Sequence, residues 1–208
     1  MKTKHFKQIL LVCTSLLGIS LAGVADAADV NKLVAVCANC HGKAGASTEA
    51  EVPIIGGYST EFLVNNMKAY KTKDRACPET EYRTGSKKGQ KTDMCNMVKD
   101  MDDGDMKLVA QYFSKQKFVR AKQKFDPELA RKGKEIHDMS CEKCHSEGGS
   151  VAKDDAGMMA GQWMPYLRQA IDEFSSGKRP IAKKMKLKMD DLNKDDLEAL
   201  VNYYGSLK

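Results

Sequence analysis

Cys37-Ala38-Asn39-Cys40-His41 and Cys141-Glu142-Lys143-Cys144-His145 repeat one pattern: two cysteines three residues apart, with a histidine directly after the second. On a helical turn, residues i and i+3 share a face. Two sulfurs so placed can form thioethers to the two vinyl groups of one porphyrin, and the next residue is delivered beneath the ring. This is the attachment signature of c-type haem, with the histidine as proximal iron ligand. Cys37 and Cys40 with His41 then serve one haem, and Cys141 and Cys144 with His145 a second. A zinc site shared by two Cys-x-x-Cys knuckles, or a dithiol redox pair, would not require a histidine after both pairs. A thioredoxin-like motif would also want a βαβ pattern, which is absent.

The two signatures belong to an internal repeat. At an offset of 104, His41 matches His145, Gly57 matches Gly161, Phe62-Leu63 matches Tyr166-Leu167, Tyr70 matches Phe174 and Arg75 matches Arg179. The first half then carries a 13-residue insertion, after which the offset is 91: Met94 matches Met185, and Tyr112-Phe113 matches Tyr203-Tyr204. A six-coordinate haem needs a distal ligand as well. Beyond the expected leader there are three histidines, of which two are proximal. His137, four residues before Cys141, lies on the attachment helix and so on the wrong side of the ring; a structural or surface role suits it better. Methionine, a soft thioether that raises the reduction potential, is the natural distal ligand. The repeat selects Met94 and Met185, each 18 residues before the closing aromatic pair, with Met97 and Met101 as rivals in the first half and Met189 in the second.

The elements needed to position these groups read as helices. Asp126 is a cap with Pro127 at the first helical position, opening a helix that runs to the second signature. Asp102 with Asp105, and Asn193 with Asp196, cap the two closing helices. Pro165 opens a helix with Tyr166, Leu167, Ala170, Ile171 and Phe174 on one side. No convincing alternating strand appears, so the fold class is all-α, with a first domain over 28–113, a linker over 114–126 and a second domain over 127–208. The aromatic pairs at 112–113 and 203–204 pack the closing helices, and Trp163, with Ser59 as its counterpart, packs at a haem edge or between domains.

Before these lies a leader. Lys2, Lys4 and Lys7 precede an apolar run from Ile9 to Val24, and Ala25-Asp26-Ala27 has the small-x-small cleavage pattern. Cleavage after Ala27 implies export to the periplasm, without a retained anchor or lipid attachment at Cys13. It removes three lysines and one aspartate, taking the formal charge from +6 to +4. The remaining charges are interspersed, a solvated surface rather than a nucleic-acid interface. In an oxidising compartment the two spare cysteines, Cys77 and Cys95, are expected to form a disulfide. Thiolate ligation of iron by Cys95 is the sharper alternative.

The tandem layout, with Gly-Gly-Tyr or Ala-Gly-Gln before an aromatic-Leu helix and then Arg and Met, resembles the diheme cytochromes of the c4 type. The second half is closer still to the cytochrome subunit of flavocytochrome c sulfide dehydrogenase, through Ala121-Lys122-Gln123, Glu147-Gly148-Gly149, Ala160-Gly161-Gln162-Trp163, Pro165-Tyr166-Leu167, Arg179-Pro180 and Lys183-Lys184-Met185. The resemblance implies two class I cytochrome c domains related by a pseudo-twofold axis, with Met185 as a ligand. It also implies an electron-transfer protein rather than an enzyme. Its donor would be a flavoprotein of the sulfide dehydrogenase type, and its acceptor an oxidase or small carrier. A free shuttle to a terminal oxidase is the alternative. A diheme peroxidase or thiosulfate-oxidising enzyme would need an open iron site with acid–base residues above it. The chain has no Gly-x-Gly-x-x-Gly of its own to hold a flavin.

Overall fold

The computed structural model describes residues 26–208; the body of the expected leader, with Cys13, lies outside them. The first half runs through α1 (Asp26–His41), α2 (Thr60–Lys71), a short antiparallel pair β1 (Thr80–Glu81) and β2 (Lys91–Thr92), α3 (Met94–Val98) and α4 (Asp103–Ser114). The second half runs through α5 (Pro127–Ser140), a helical turn α6 (Ser146–Gly149), α7 (Met164–Ser175), α8 (Lys183–Asp190) and α9 (Lys194–Ser206).

Local chemistry sets the helix starts. Asp126 accepts from the backbone N–H groups of Glu128 and Leu129, with Pro127 in the first turn. Reciprocal capping boxes, Asp102 with Asp105 and Asn193 with Asp196, open α4 and α9. Each half then closes around its own apolar cluster. In the first, Val34 of α1 and Met67 of α2 meet Met106, Val109 and Phe113 of α4. In the second, Ile136 of α5 and Leu167 of α7 meet Ala199, Leu200 and Tyr203 of α9. Helices α5 and α9 cross tightly because Gly133 has no side chain: a Cβ there would overlap the Ala199 carbonyl.

The sequence repeat is also a repeat of hydrogen bonds. Gly45 O accepts from Ile55 N and Gly56 N at 2.9 and 3.2 Å, while Gly149 O accepts from Met159 N and Ala160 N at 2.8 and 3.2 Å. Gly57 N donates to Phe113 O, and Gly161 N to Tyr204 O. All four glycines have positive φ, between 74° and 83°, where a side chain would be strained. The β1–β2 pair lies within the insertion. Two residues per strand are too few to leave an alternating pattern, which is why the sequence reads as helix and loop alone.

Candidate haem sites

In the first half, Cys37, Cys40 and His41 occupy the last turns of α1. His41 is buried, and its Nδ1 lies 2.9 Å from the Pro53 carbonyl oxygen. A proton held there leaves the Nε2 lone pair free for a metal. Burial also lowers the pKa of His41, favouring the neutral ring that a ligand must be. Burial pushes the Cys37 thiol up to about 11.

These three residues line a cavity whose other walls include Met94, Met97 and Arg75. Met94 begins α3, which Asp93 caps by accepting from Asn96 N at 2.8 Å. Met97 lies one turn later, and its Sδ accepts from the hydroxyls of Tyr82 at 3.3 Å and Thr92 at 3.6 Å. Met101 also lines the cavity and is buried in the core. Cys77 and Cys95 are joined, with Cα atoms 5.8 Å apart, so the residue after Met94 is tied to the start of the inserted loop.

The second half places its motif differently. Helix α5 stops at Ser140 with Cys141 as its C-cap, and the motif continues as a turn in which His145 N donates to Cys141 O at 3.0 Å. The Glu142 carboxylate is what folds this turn back: it accepts from the N–H groups of Glu147 and Gly148 and pairs with His137 Nε2 at 2.6 Å. These contacts hold Glu142 below the usual carboxylate range. His137 is wholly buried, and its Nδ1 lies 3.0 Å from the Tyr204 hydroxyl. Both of its ring nitrogens are therefore occupied, and its role is structural rather than surface. His145 Nδ1 is buried without a partner. Met185 and Met189 are half-buried on α8, apart from the cluster that packs on Cys141.

The two halves meet through equivalent residues. Tyr58, the counterpart of Gln162, donates to Met158 O at 2.8 Å; Gln162 donates to the counterpart carbonyl, Ile54 O, at 2.9 Å. Arg75 stacks over Tyr70 at 4.6 Å and Arg179 over Phe174 at 4.4 Å, the same pair in both copies. Trp163 Nε1 donates to Ser47 O at 3.0 Å, so this tryptophan packs between the halves. Arg75 and Arg179 could be found in the sequence because the repeat matches them. Tyr82 could not, because it stands in the insertion and has no counterpart.

The residues of the first half fit a haem. A nitrogen donor and soft sulfur donors line one cavity. Arg75 Nη2, buried and unpartnered beside that cavity, suits an anionic propionate.

Comparison with known proteins agrees. Residues 130–208 match the family model for cytochrome c. The chain is 28% identical to cytochrome c4 of Stutzerimonas stutzeri, over 92% of this chain and 96% of that one. It is 27% identical to cytochrome c4 of Pseudomonas aeruginosa, over 95% and 98%. The structure of reduced recombinant cytochrome c4 from Pseudomonas stutzeri superposes with a TM-score of 0.69 at 26% identity, covering 89% of this chain and all of the other. Cytochrome c4 of Acidithiobacillus ferrooxidans shares the fold, with a TM-score of 0.67 at 23% identity, over 83% of this chain and 99% of that one. The chain is a diheme electron-transfer cytochrome of two tandem cytochrome c domains with two covalently bound haem c groups, similar over most of its length to these cytochromes c4.

Proposed function

We propose that the chain is a periplasmic shuttle, exported by a leader cleaved after Ala27, that carries electrons to a terminal oxidase or small carrier. Cys37 and Cys40 hold the first haem and Cys141 and Cys144 the second; His41 with Met94, and His145 with Met185, are the axial ligands. The first domain spans 28–113 and the second 127–208, joined by 114–126. Among the described residues no helix is long and apolar enough to cross a membrane.

The observation that carries this reading is the paired donor set. Each half offers a histidine next to its two attachment cysteines and a methionine at the equivalent place in the repeat. A bound haem supplies a one-electron couple. An iron filled by two protein ligands has no vacant position for a substrate, which favours transfer over catalysis.

A second reading makes the chain the cytochrome subunit of a flavoprotein sulfide dehydrogenase. It is supported by the second-half stretches around Gln162-Trp163, Pro165-Tyr166-Leu167 and Lys183-Lys184-Met185. The test is to isolate the holo-protein gently from the native periplasm and measure flavin and haem in one fraction. Two haems with no flavin, and ready oxidation by oxidase preparations, support the shuttle. Flavin co-eluting at one per two haems overturns it in favour of the subunit.

A further inference from the structure

The two attachment motifs are equivalent in sequence but not in surroundings. In the first half the inserted hairpin folds back onto the motif. Arg83 N and Thr84 N donate to the Asn39 carbonyl at 2.9 and 3.0 Å, and Cys40 Sγ lies 3.7 Å from Glu81 O. Gly85, at φ 78°, sits so close that a Cβ would meet the Asn39 amide. The hairpin is fixed twice, at its base by the Cys77–Cys95 disulfide and beyond β1 by buried Tyr82, whose hydroxyl donates to Met97 Sδ. Pro78, Glu79 and Thr80 line the cavity itself. In the second half the counterpart of Cys40 is Cys144, which is exposed, and the repeat has no segment there to cover it.

We propose that the disulfide-stapled hairpin caps the thioether edge of the first haem, so that protein redox partners exchange electrons with the chain at the open Cys144 edge of the second. The first haem then communicates with the outside mainly through the second, across the shared interface. This rests on the assignment of Cys37–His41 and Cys141–His145 as the attachment sites.

The experiment compares the two haems within one molecule. Oxidised holo-protein is titrated with a neutral gadolinium chelate, and the relaxation of each set of haem methyl resonances is followed by NMR. The two sets are assigned through the shifts caused by Met185→His. Protons of the second haem should relax several-fold faster than those of the first. Gly85→Val, which drives the hairpin tip off Asn39, should bring the first haem towards the second. Equal relaxation in the wild-type protein, or faster relaxation at the first haem, overturns the cap. So does a folded Gly85→Val protein with the wild-type contrast; if that variant does not fold, the wild-type comparison decides alone. Mass analysis of the peptide bearing Cys37–His41 separates the two levels of failure. A peptide without haem overturns the assignment itself, whereas a haem-bearing peptide with equal relaxation overturns only the cap.

Discussion

Arg75 Nε donates to Glu173 Oε2 at 3.0 Å across the boundary between the two domains, and the side chains are only 4% and 6% exposed. The pair is not mirrored: the repeat puts Ala69 where a counterpart of Glu173 would stand, and Arg179 turns instead to Asn66 Oδ1 at 3.1 Å. A buried carboxylate thus faces the arginine beside the first haem cavity and has no equal beside the second.

Glu173→Ala removes the carboxylate that this chain pairs with buried Arg75, leaving a haem propionate as its only countercharge, and should cost up to about 3–5 kcal/mol in denaturant unfolding. Glu173→Gln keeps the shape and removes the charge. Without that negative charge the oxidised first haem is less favoured, so its reduction potential should rise while that of the second stays put. A redox titration in which both potentials move together, or neither moves, refutes this account of the asymmetry.

Met94 and Met97 both line the first cavity, but Met97 Sδ already accepts two hydroxyl donors. Met94→Ala should therefore open the first iron to carbon monoxide in the reduced protein and lower its potential. Met97→Ala should leave carbon monoxide binding as it was. The reverse pattern would move the ligand to Met97. Met185→Ala is expected to open the second iron in the same way.

What could be read from the sequence divides along physical lines. The caps at Asp102, Asp126 and Asn193 were legible because capping is local, a side chain serving N–H groups two or three residues away. The equivalence of Gly57 and Gly161 was legible because a duplicated chain repeats its backbone demands, here a positive φ at both. The Arg75–Glu173 pair, 98 residues apart, and the docking of Tyr82 under Met97 depend on tertiary approach, which leaves no periodic trace. The helix from Pro127 runs to the second signature as its cap and spacing imply, but the bonds of Glu142 forward to Glu147 and back to His137, which shape the turn beyond it, are not revealed by spacing alone.

The Cys77–Cys95 bond spans a separation of 18 residues. Chain-entropy reasoning gives about 3 kcal/mol for closing a loop of that length. Replacing both cysteines by serine should destabilise the first domain by about 2–3 kcal/mol and leave the second near its original midpoint, so that unfolding followed at the two haems no longer coincides. Coincident unfolding at the wild-type midpoint would show that the bond adds nothing.

Acid should weaken one contact between α7 and α9. Arg168 on α7 grips Glu198 on α9, with Nε donating to Oε2 at 2.8 Å, and Asn202 adds a donor at 2.9 Å. The Arg168 hydrogen bond, first among these influences, holds the Glu198 carboxyl below its ordinary value of 4.5. A carboxyl whose folded pKa is depressed stabilises the fold above its unfolded pKa, and this contribution fades as the pH falls through the folded one. Both side chains are more than a third exposed, so the contribution at neutral pH should stay below about 1 kcal/mol. Glu198→Gln should therefore be slightly less stable than the wild type at pH 7, and the difference should shrink steadily below pH 4.5 as the wild-type carboxylate takes up its proton. A difference that persists undiminished into strong acid would mean that packing of the glutamate side chain, not its charge, joins α7 to α9.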